Sequence, residues 1–117
     1  MSSPLPRSLT EHLRTLGTQM PAVVVTGPRQ AGKTTICRLA WPGHAYVNLE
    51  RPDLRAFAAS DPRGLLAQHP DGAILDETQR VPELTSWLQA EIDEDPRPGR
   101  WVLTGSEQLT LTQKTSQ

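Results

Sequence analysis

The sequence contains very little cysteine: its 117 residues include one, Cys37. A single thiol excludes an internal disulfide and a cysteine-rich zinc site, and it is consistent with a reducing cytosol. The three histidines, His12, His44 and His69, are widely spaced along the chain. The composition therefore does not indicate a metal cluster built from these side chains.

The sequence also lacks a long apolar run and an excess of charge of either sign. No segment approaches the roughly 20 apolar residues that span a bilayer, and residues 1–12 have no apolar core typical of a signal peptide. Lys and Arg number 12 and Asp and Glu number 13, so the net charge is −1. With no general attraction to nucleic acid or anionic membrane, we predict a cytoplasmic protein with neither as a partner.

The length and the low apolar content predict one small domain over residues 1–117. Hydrophobic residues make up 36% of the chain, prolines number eleven and the mean hydropathy is −0.47. Residues 1–20 are predicted to form an N-terminal arm and an amphipathic helix. Ser8 and Glu11 have the spacing of a capping box at the start of this helix, and Gly17 ends it.

Short apolar segments alternate with helical patterns along the rest of the chain. The β-branched run at 23–25 predicts a strand buried on both faces. The other predicted elements are strands at 45–50, 73–77 and 101–106, a helix from 33, two short helices within 51–72 that break at 60–62, and a helix over 81–92. Alternating strands and helices predict an α/β fold with a parallel sheet, in which ligands bind at the carboxyl ends of the strands.

Several side chains in these elements are predicted to be structural. The helix from 33 is expected to turn Ile36, Leu39 and Ala40 inward, and Cys37 is expected to be a small buried group. Trp87 lies among leucines at helical spacing, so we expect it in the core.

A glycine-containing turn joins the first predicted strand to the helix that follows it. Its sequence fits the pattern G-x-x-x-x-G-K-[ST], in which inward-facing backbone N–H groups and a helix N-terminus bind phosphate. A chance glycine turn is the alternative, and the strand before and helix after the turn make it less favourable. Lys33 is predicted to reach the β and γ phosphates, and the Thr34 hydroxyl to ligate Mg²⁺. The predicted loop comprises Gly27, Pro28, Arg29, Gln30, Ala31, Gly32, Lys33, Thr34 and Thr35.

Polar residues also end two later strands. Asp76 is a candidate for holding Mg²⁺ through water, and Glu77 for activating the attacking water as a general base. An acid pair that merely ends a strand at the surface is the alternative. Thr104 and Ser106 each offer a hydroxyl for the γ phosphate, and the sequence does not choose between them.

These segments together resemble the predicted AAA+-type ATPases of bacteria and archaea, whose core is often followed by an uncharacterised C-terminal domain. The resemblance lies in "VVVTGPRQAGKTT", "YVNLERPDLRAFAASDPRGLL", "AILDETQRVPEL" and "WVLTGSEQL". It implies a three-layer P-loop NTPase fold of the additional-strand catalytic-glutamate type, with the "LTGS" strand between the other two. It also implies a Walker A loop at 27–35, Walker B acids Asp76 and Glu77, and a sensor 1 in "LTGS". Such relatives continue beyond residue 117, so the resemblance implies a truncated core without the last strand, an arginine finger or sensor 2.

The expected function is MgATP binding with ATP hydrolysis. Two alternatives stay open: a nucleotide-binding fragment that needs missing segments or a partner for turnover, and a small P-loop kinase. A kinase needs no water-activating base, which makes Glu77 an argument against it. We also expect the first strand to be an exposed sheet edge where a second copy or a protein partner can associate.

Overall fold

The structure is a computed structural model and describes residues 5–27 and 32–105. Helices and strands alternate along this part of the chain, and a single 3-10 turn follows the third strand. The elements in order are α1 Leu5–Gly17, β1 Ala22–Thr26, α2 Lys33–Ala40, β2 Ala45–Asn48, α3 Pro52–Ser60, α4 Pro62–Ala67, β3 Ala73–Asp76, the 3-10 turn Thr78–Arg80, α5 Glu83–Glu94 and β4 Trp101–Gly105. The predicted elements are confirmed, including the break between α3 and α4.

The four strands form one parallel sheet in the order β1-β4-β3-β2. Val24 pairs with Leu103 across β1 and β4, and Leu75 pairs with both Leu103 and Val47. The strand β4 therefore lies between β1 and β3, which confirms the order that the resemblance implied. Because all strands are parallel, their carboxyl ends meet at one edge of the sheet.

Helices cover both faces of the sheet, so the predicted three-layer α/β arrangement is confirmed. On one face, Trp101, Leu103 and Leu75 pack against α3, α4 and α5. On the other face, Val102 and Ile74 pack against α1 and α2. Alternate residues of each strand point to opposite faces, so the two cores draw on alternate positions of the same strands.

The prediction that β1 is buried on both faces is wrong. Val23 is buried beneath α1 and α2, whereas Val24 points to the opposite face and is 37% exposed. Within the described residues β1 pairs only with β4, so it lies at an edge of the sheet. A run of β-branched residues does not distinguish a central strand from an edge strand, because both favour the same side chains.

Trp87, a large side chain of α5 that was predicted to be buried, is exposed. On α5 the buried residues Leu84, Leu88 and Ile92 recur every four positions, and Trp87 lies about 100° away around the helix. Trp87 is 42% exposed, and its ring lies 5.8 Å from the guanidinium of Arg63. The helical stripe is therefore narrower than the apolar pattern suggested.

Helix α2 also has one residue whose exposure differs from its prediction, and helix α1 starts at a different residue from the one predicted. Of the three α2 residues predicted to face inward, Ala40 is buried and Ile36 is partly buried, whereas Leu39 is 51% exposed. The burial of Cys37 is confirmed. Helix α1 begins at Leu5, so Ser8 lies inside it and does not mark its start.

A glycine allows the close approach of β3 and the chain before β4. Gly72 has φ +96°, and a Cβ built there would lie 1.5 Å from the carbonyl oxygen of Arg100. Only glycine tolerates both this dihedral angle and this contact. No helix within the described residues is long and apolar enough to cross a membrane.

Candidate functional site

The candidate site lies at the carboxyl ends of β1, β3 and β4. Gly27 follows β1, and its N–H donates to the carbonyl oxygen of Gly105 at the end of β4 (3.3 Å). Gly32 precedes α2 and has φ +78°, a left-handed conformation that glycine adopts without a steric penalty. The structure thus brings both glycines of the predicted loop to the edge where the strands end.

The side chain of Lys33 folds back toward the end of β1. Lys33 is 5% exposed, and its Nζ donates to the carbonyl oxygen of Gly27 at 2.9 Å. Because Lys33 is also the first residue of α2, its ammonium group lies at the N-terminus of that helix. A lysine and a helix N-terminus are both positive, so this corner of the molecule favours an anion.

Asp76, the last residue of β3, accepts hydrogen bonds from three hydroxyl groups. Thr34 Oγ1 donates to Oδ2 at 2.9 Å, Tyr46 donates to the same oxygen, and Thr104 donates to Oδ1. The donors come from α2, β2 and β4, so three neighbouring elements converge on one carboxylate. Asp76 is 6% exposed, and these bonds compensate for the desolvation of its oxygens.

Glu77 follows Asp76 in a conformation that is uncommon for a side-chain-bearing residue. Its φ and ψ are 61° and 52°, and it is the only non-glycine residue with positive φ within the described residues. The Glu77 N–H donates to Thr104 Oγ1 at 3.1 Å, and Gln79 Nε2 donates to Glu77 Oε1 at 2.6 Å. A left-handed conformation costs about 1–3 kcal/mol and persists only where the surroundings hold it. The contacts with Thr104 and Gln79 supply such restraint.

Burial and the charge of Asp76 determine the ionisation of two nearby groups. Burial, and then the neighbouring Asp76, raise the pKa of the Cys37 thiol to about 12, although Lys33 partly opposes the shift. Burial and the hydrogen bond to Asp76 likewise raise the pKa of Tyr46 to about 12. Both groups are therefore neutral at physiological pH. Cys37 is a small apolar group beneath the site and not a nucleophile.

The oxygen atoms at Asp76 and Thr34 suit Mg²⁺, a hard cation that prefers carboxylate and hydroxyl oxygen. Thr34 Oγ1 and Asp76 Oδ2 lie 2.9 Å apart, close enough for both residues to contribute to one coordination sphere. Within the described residues no group of three or more His, Cys, Asp or Glu side chains is arranged to hold a metal. The pair Thr34 and Asp76 fits Mg²⁺, which binds proteins through one or two carboxylates and takes its other ligands from phosphate and water.

The structure brings together most of the residues predicted for the site. Gly27, Gly32, Lys33 and Thr34 meet Asp76, Glu77 and Thr104 at one edge of the sheet. Thr35, also in the predicted loop, is exposed. The predicted residues Pro28, Arg29, Gln30, Ala31 and Ser106 lie outside the described residues. Of the two candidate hydroxyls, Thr104 is thus seen to contact Asp76.

Two residues at the site were missed by the sequence interpretation. Tyr46 lies in β2, two positions before the strand end, and Gln79 lies in the 3-10 turn after Glu77. The tyrosine alternates with Val47 in a short strand, which marks it as facing a helix layer but does not indicate a contact with Asp76. Only the register between β2 and β3 reveals that contact.

Comparisons with known proteins agree with the fold. The profile of a family described as "AAA domain" matches residues 19–117. Two uncharacterized mycobacterial proteins, Mb2031c of Mycobacterium bovis and Rv2008c of Mycobacterium tuberculosis, are each 34% identical over 102 residues. The match covers 86% of this chain and 23% of each relative, so the chain spans less than a quarter of their length.

Among solved structures, that of C. elegans PCH-2 is similar with a TM-score of 0.61 and 14% sequence identity. The similarity covers 97% of this chain and 40% of PCH-2. At this level of identity the likeness concerns the fold, which is that of a P-loop NTPase. On the family match over most of its length, the chain belongs to the AAA domain family of P-loop ATPases.

Proposed function

We propose that this domain binds MgATP and hydrolyses it to ADP and phosphate. The observation that supports the proposal best is the hydrogen bond between Thr34 and Asp76, which joins the helix after the loop to the end of β3. In a P-loop site these two positions serve the same Mg²⁺. Family membership supports nucleotide binding, and the acid that follows Asp76 supports hydrolysis.

In this proposal the phosphates of ATP lie over the N-terminus of α2. The amides of the loop and the helix dipole bind the phosphate oxygens, and Lys33 exchanges its bond to Gly27 for contacts with the β and γ phosphates. Bound Mg²⁺ would neutralise charge on the β and γ phosphates, with Thr34 and Asp76 as its protein-side partners.

Glu77 is the proposed general base. Its backbone N–H donates to Thr104 Oγ1, which holds the Glu77 backbone against the end of β4. Glu77 would take a proton from the attacking water as the water oxygen bonds to the γ phosphorus and the bond to the β-γ bridging oxygen breaks. Thr104, one of the two candidate hydroxyls in the "LTGS" segment that the resemblance assigns to sensor 1, couples this base to Asp76.

Calorimetry of the purified chain with MgATP, followed by phosphate release on the same sample, tests the proposal. Lys33→Ala should abolish binding, because the variant loses a cation at the phosphate position. Glu77→Gln should keep binding and lose about 10²- to 10⁴-fold in turnover, the contribution of a general base. Glu83→Gln, which removes one exposed carboxylate on α5, is the matched control and should turn over like the wild type. Unchanged hydrolysis in Glu77→Gln would mean that another group activates the water.

A second candidate function is nucleotide binding without turnover by this chain alone. The contact that favours it is the short bond from Gln79 to Glu77, which engages one oxygen of the proposed base. That oxygen cannot accept a proton from water while it accepts the amide of Gln79, and a partner would be needed to displace the amide. Steady-state phosphate release clearly above that of Lys33→Ala would exclude this alternative.

We also propose a cytoplasmic location, and association with a second copy or another protein at the β1 edge of the sheet. Val24 and Met20, near this edge, are exposed apolar side chains, which supports association there of a second copy or another protein. Size-exclusion chromatography with light scattering of the wild type and of Val24→Lys tests the edge. Loss of an oligomer in the variant would support the edge as the interface.

A further inference from the structure

We propose that Tyr46 is a positioning residue for Asp76, and that its hydroxyl holds the carboxylate in the orientation needed to bind Mg²⁺ with nucleotide. The inference rests on the proposed function, because it concerns the same cation site. It assigns a role to a strand, β2, that contributes nothing to the loop, to the acid pair or to the "LTGS" segment.

The register of the sheet places Tyr46 within reach of Asp76. Tyr46 pairs with Ile74, and Asp76 lies two residues farther along β3 on the same face. Diagonal neighbours of this kind are too far apart for short side chains but can be bridged by an aromatic one. The Tyr46 hydroxyl spans that diagonal and donates to Asp76 Oδ2.

Helix α2 contacts the face of the Tyr46 ring. The guanidinium carbon of Arg38 lies 4.8 Å from the ring centroid, a cation–π contact. Arg38 is four residues after Thr34, so both lie on the same face of α2. One helix face therefore contacts Asp76 directly through Thr34 and indirectly through Arg38 and Tyr46, which ties the ring to the element that begins at the loop.

The two hydroxyls on Asp76 Oδ2 have different expected roles. A threonine that ligates Mg²⁺ must direct a lone pair to the cation, so Thr34 has to give up or reorient its present bond to Asp76. Tyr46 has no such competing task and can keep donating to Oδ2 while Thr104 donates to Oδ1. Together these two bonds prevent rotation of the carboxylate when Thr34 turns away.

The test is a titration of Mg²⁺ at a fixed ATP concentration, with bound nucleotide as the readout and a parallel measurement of ATP affinity in EDTA. Tyr46→Phe keeps the ring and its contact with Arg38 and removes only the hydroxyl. It should need about 10- to 100-fold more Mg²⁺ for half-maximal binding, the usual effect of losing a residue that orients a metal ligand. ATP affinity in EDTA should change little, whereas the thermal unfolding midpoint should fall, because a hydrogen bond to the buried Asp76 carboxylate is lost.

A matched control is Thr85→Val, which removes a hydroxyl that donates to the Pro82 carbonyl on α5, away from the site. It should leave the Mg²⁺ requirement unchanged. Arg38→Ala provides a second variant that keeps the phenol, and it should raise the Mg²⁺ requirement by about two- to fivefold, as expected for an exposed cation–π contact.

The outcomes separate this inference from the proposed function. If the wild type shows no Mg²⁺-dependent ATP binding, both are overturned. If the wild type binds MgATP and neither variant raises the Mg²⁺ requirement, the function stands and the role of Tyr46 is refuted. A Tyr46→Phe variant whose ATP affinity falls by the same factor in EDTA as in saturating Mg²⁺ would show a merely structural residue, and would also overturn the inference.

Discussion

Replacing Thr104 with valine should destabilise the domain by about 2–5 kcal/mol. Valine keeps the shape of threonine but removes the hydroxyl, which donates to Asp76 Oδ1 and accepts the N–H of Glu77. A buried donor left unpaired costs about 1–3 kcal/mol, and a lost bond to a charged group costs about 1.5–3 kcal/mol. Asp76 retains its hydrogen bonds from Thr34 and Tyr46. The expected destabilisation is therefore smaller than the two largest costs added together.

Burial is the reason that water cannot replace the missing hydroxyl. Thr104 is 0% exposed and Glu77 is 6% exposed. A loss of this size is a large fraction of the about 5–15 kcal/mol that stabilises a typical domain. The variant should therefore unfold at a clearly lower urea concentration than the wild type, with an unchanged dependence of the unfolding free energy on urea.

Urea unfolding followed by tryptophan fluorescence measures this effect. Trp101, in the same strand as Thr104, is fully buried and reports the loss of the core. Thr15→Val is the matched control, because the Thr15 hydroxyl donates to a carbonyl of its own helix at an exposed position. A loss below about 0.5 kcal/mol in Thr104→Val, within the range of surface substitutions, would refute the two buried hydrogen bonds.

Two further predictions concern the fold itself. Gly72→Ala should destabilise the domain by at least about 3 kcal/mol or prevent folding, because its Cβ would lie 1.5 Å from the Arg100 carbonyl oxygen at φ +96°. Gly43→Ala, where nothing lies within 4 Å of the added Cβ, is the control; equal urea midpoints for the two variants would contradict the close approach. Cys37, the only cysteine, should react with a thiol reagent only after unfolding, because its thiol is fully buried and its pKa is raised to about 12. Since the unfolded thiol ionises near 9.0, the contribution of Cys37 to stability should fall as the pH rises above that value, and fast labelling of the native chain would contradict its burial.

Local patterns in the sequence were sufficient to predict the elements and the centre of the site. The glycines of the loop predict an unusual backbone conformation. The strand before the loop and the helix after it are predicted from hydrophobic periodicity over a few residues. Asp76 and Thr104 each follow an apolar run, and the carboxyl ends of parallel strands meet at one edge. The alternation of strands and helices implies parallel strands. Asp76 and Thr104 are therefore expected at the same edge of the sheet.

The side-chain partners within the site could not be predicted in this way. Tyr46 reaches Asp76 because β2 pairs with β3 in one particular register, and a shift of one residue would turn the ring to the other face of the sheet. The choice of Thr104 as the hydroxyl on Asp76 depends on the position of β4 between β1 and β3. Register and strand order are decided by contacts between residues far apart in the chain, which no short window of sequence contains.

The exposure of side chains likewise depends partly on the local sequence pattern and partly on contacts between residues far apart in the chain. The apolar pattern of α5 correctly indicates a helix, and it correctly selects Leu84, Leu88 and Ile92 as the buried stripe. It does not indicate how wide that stripe is, so Trp87 was assigned to the core although it is exposed, and the pattern of α2 misassigned Leu39 in the same way. The sequence by itself determined which segments form helices and strands and which residues are candidates for binding phosphate. The tertiary structure decided which faces are covered and which side chains hold Asp76, because packing between layers sets the rotation of each helix and the register of each strand.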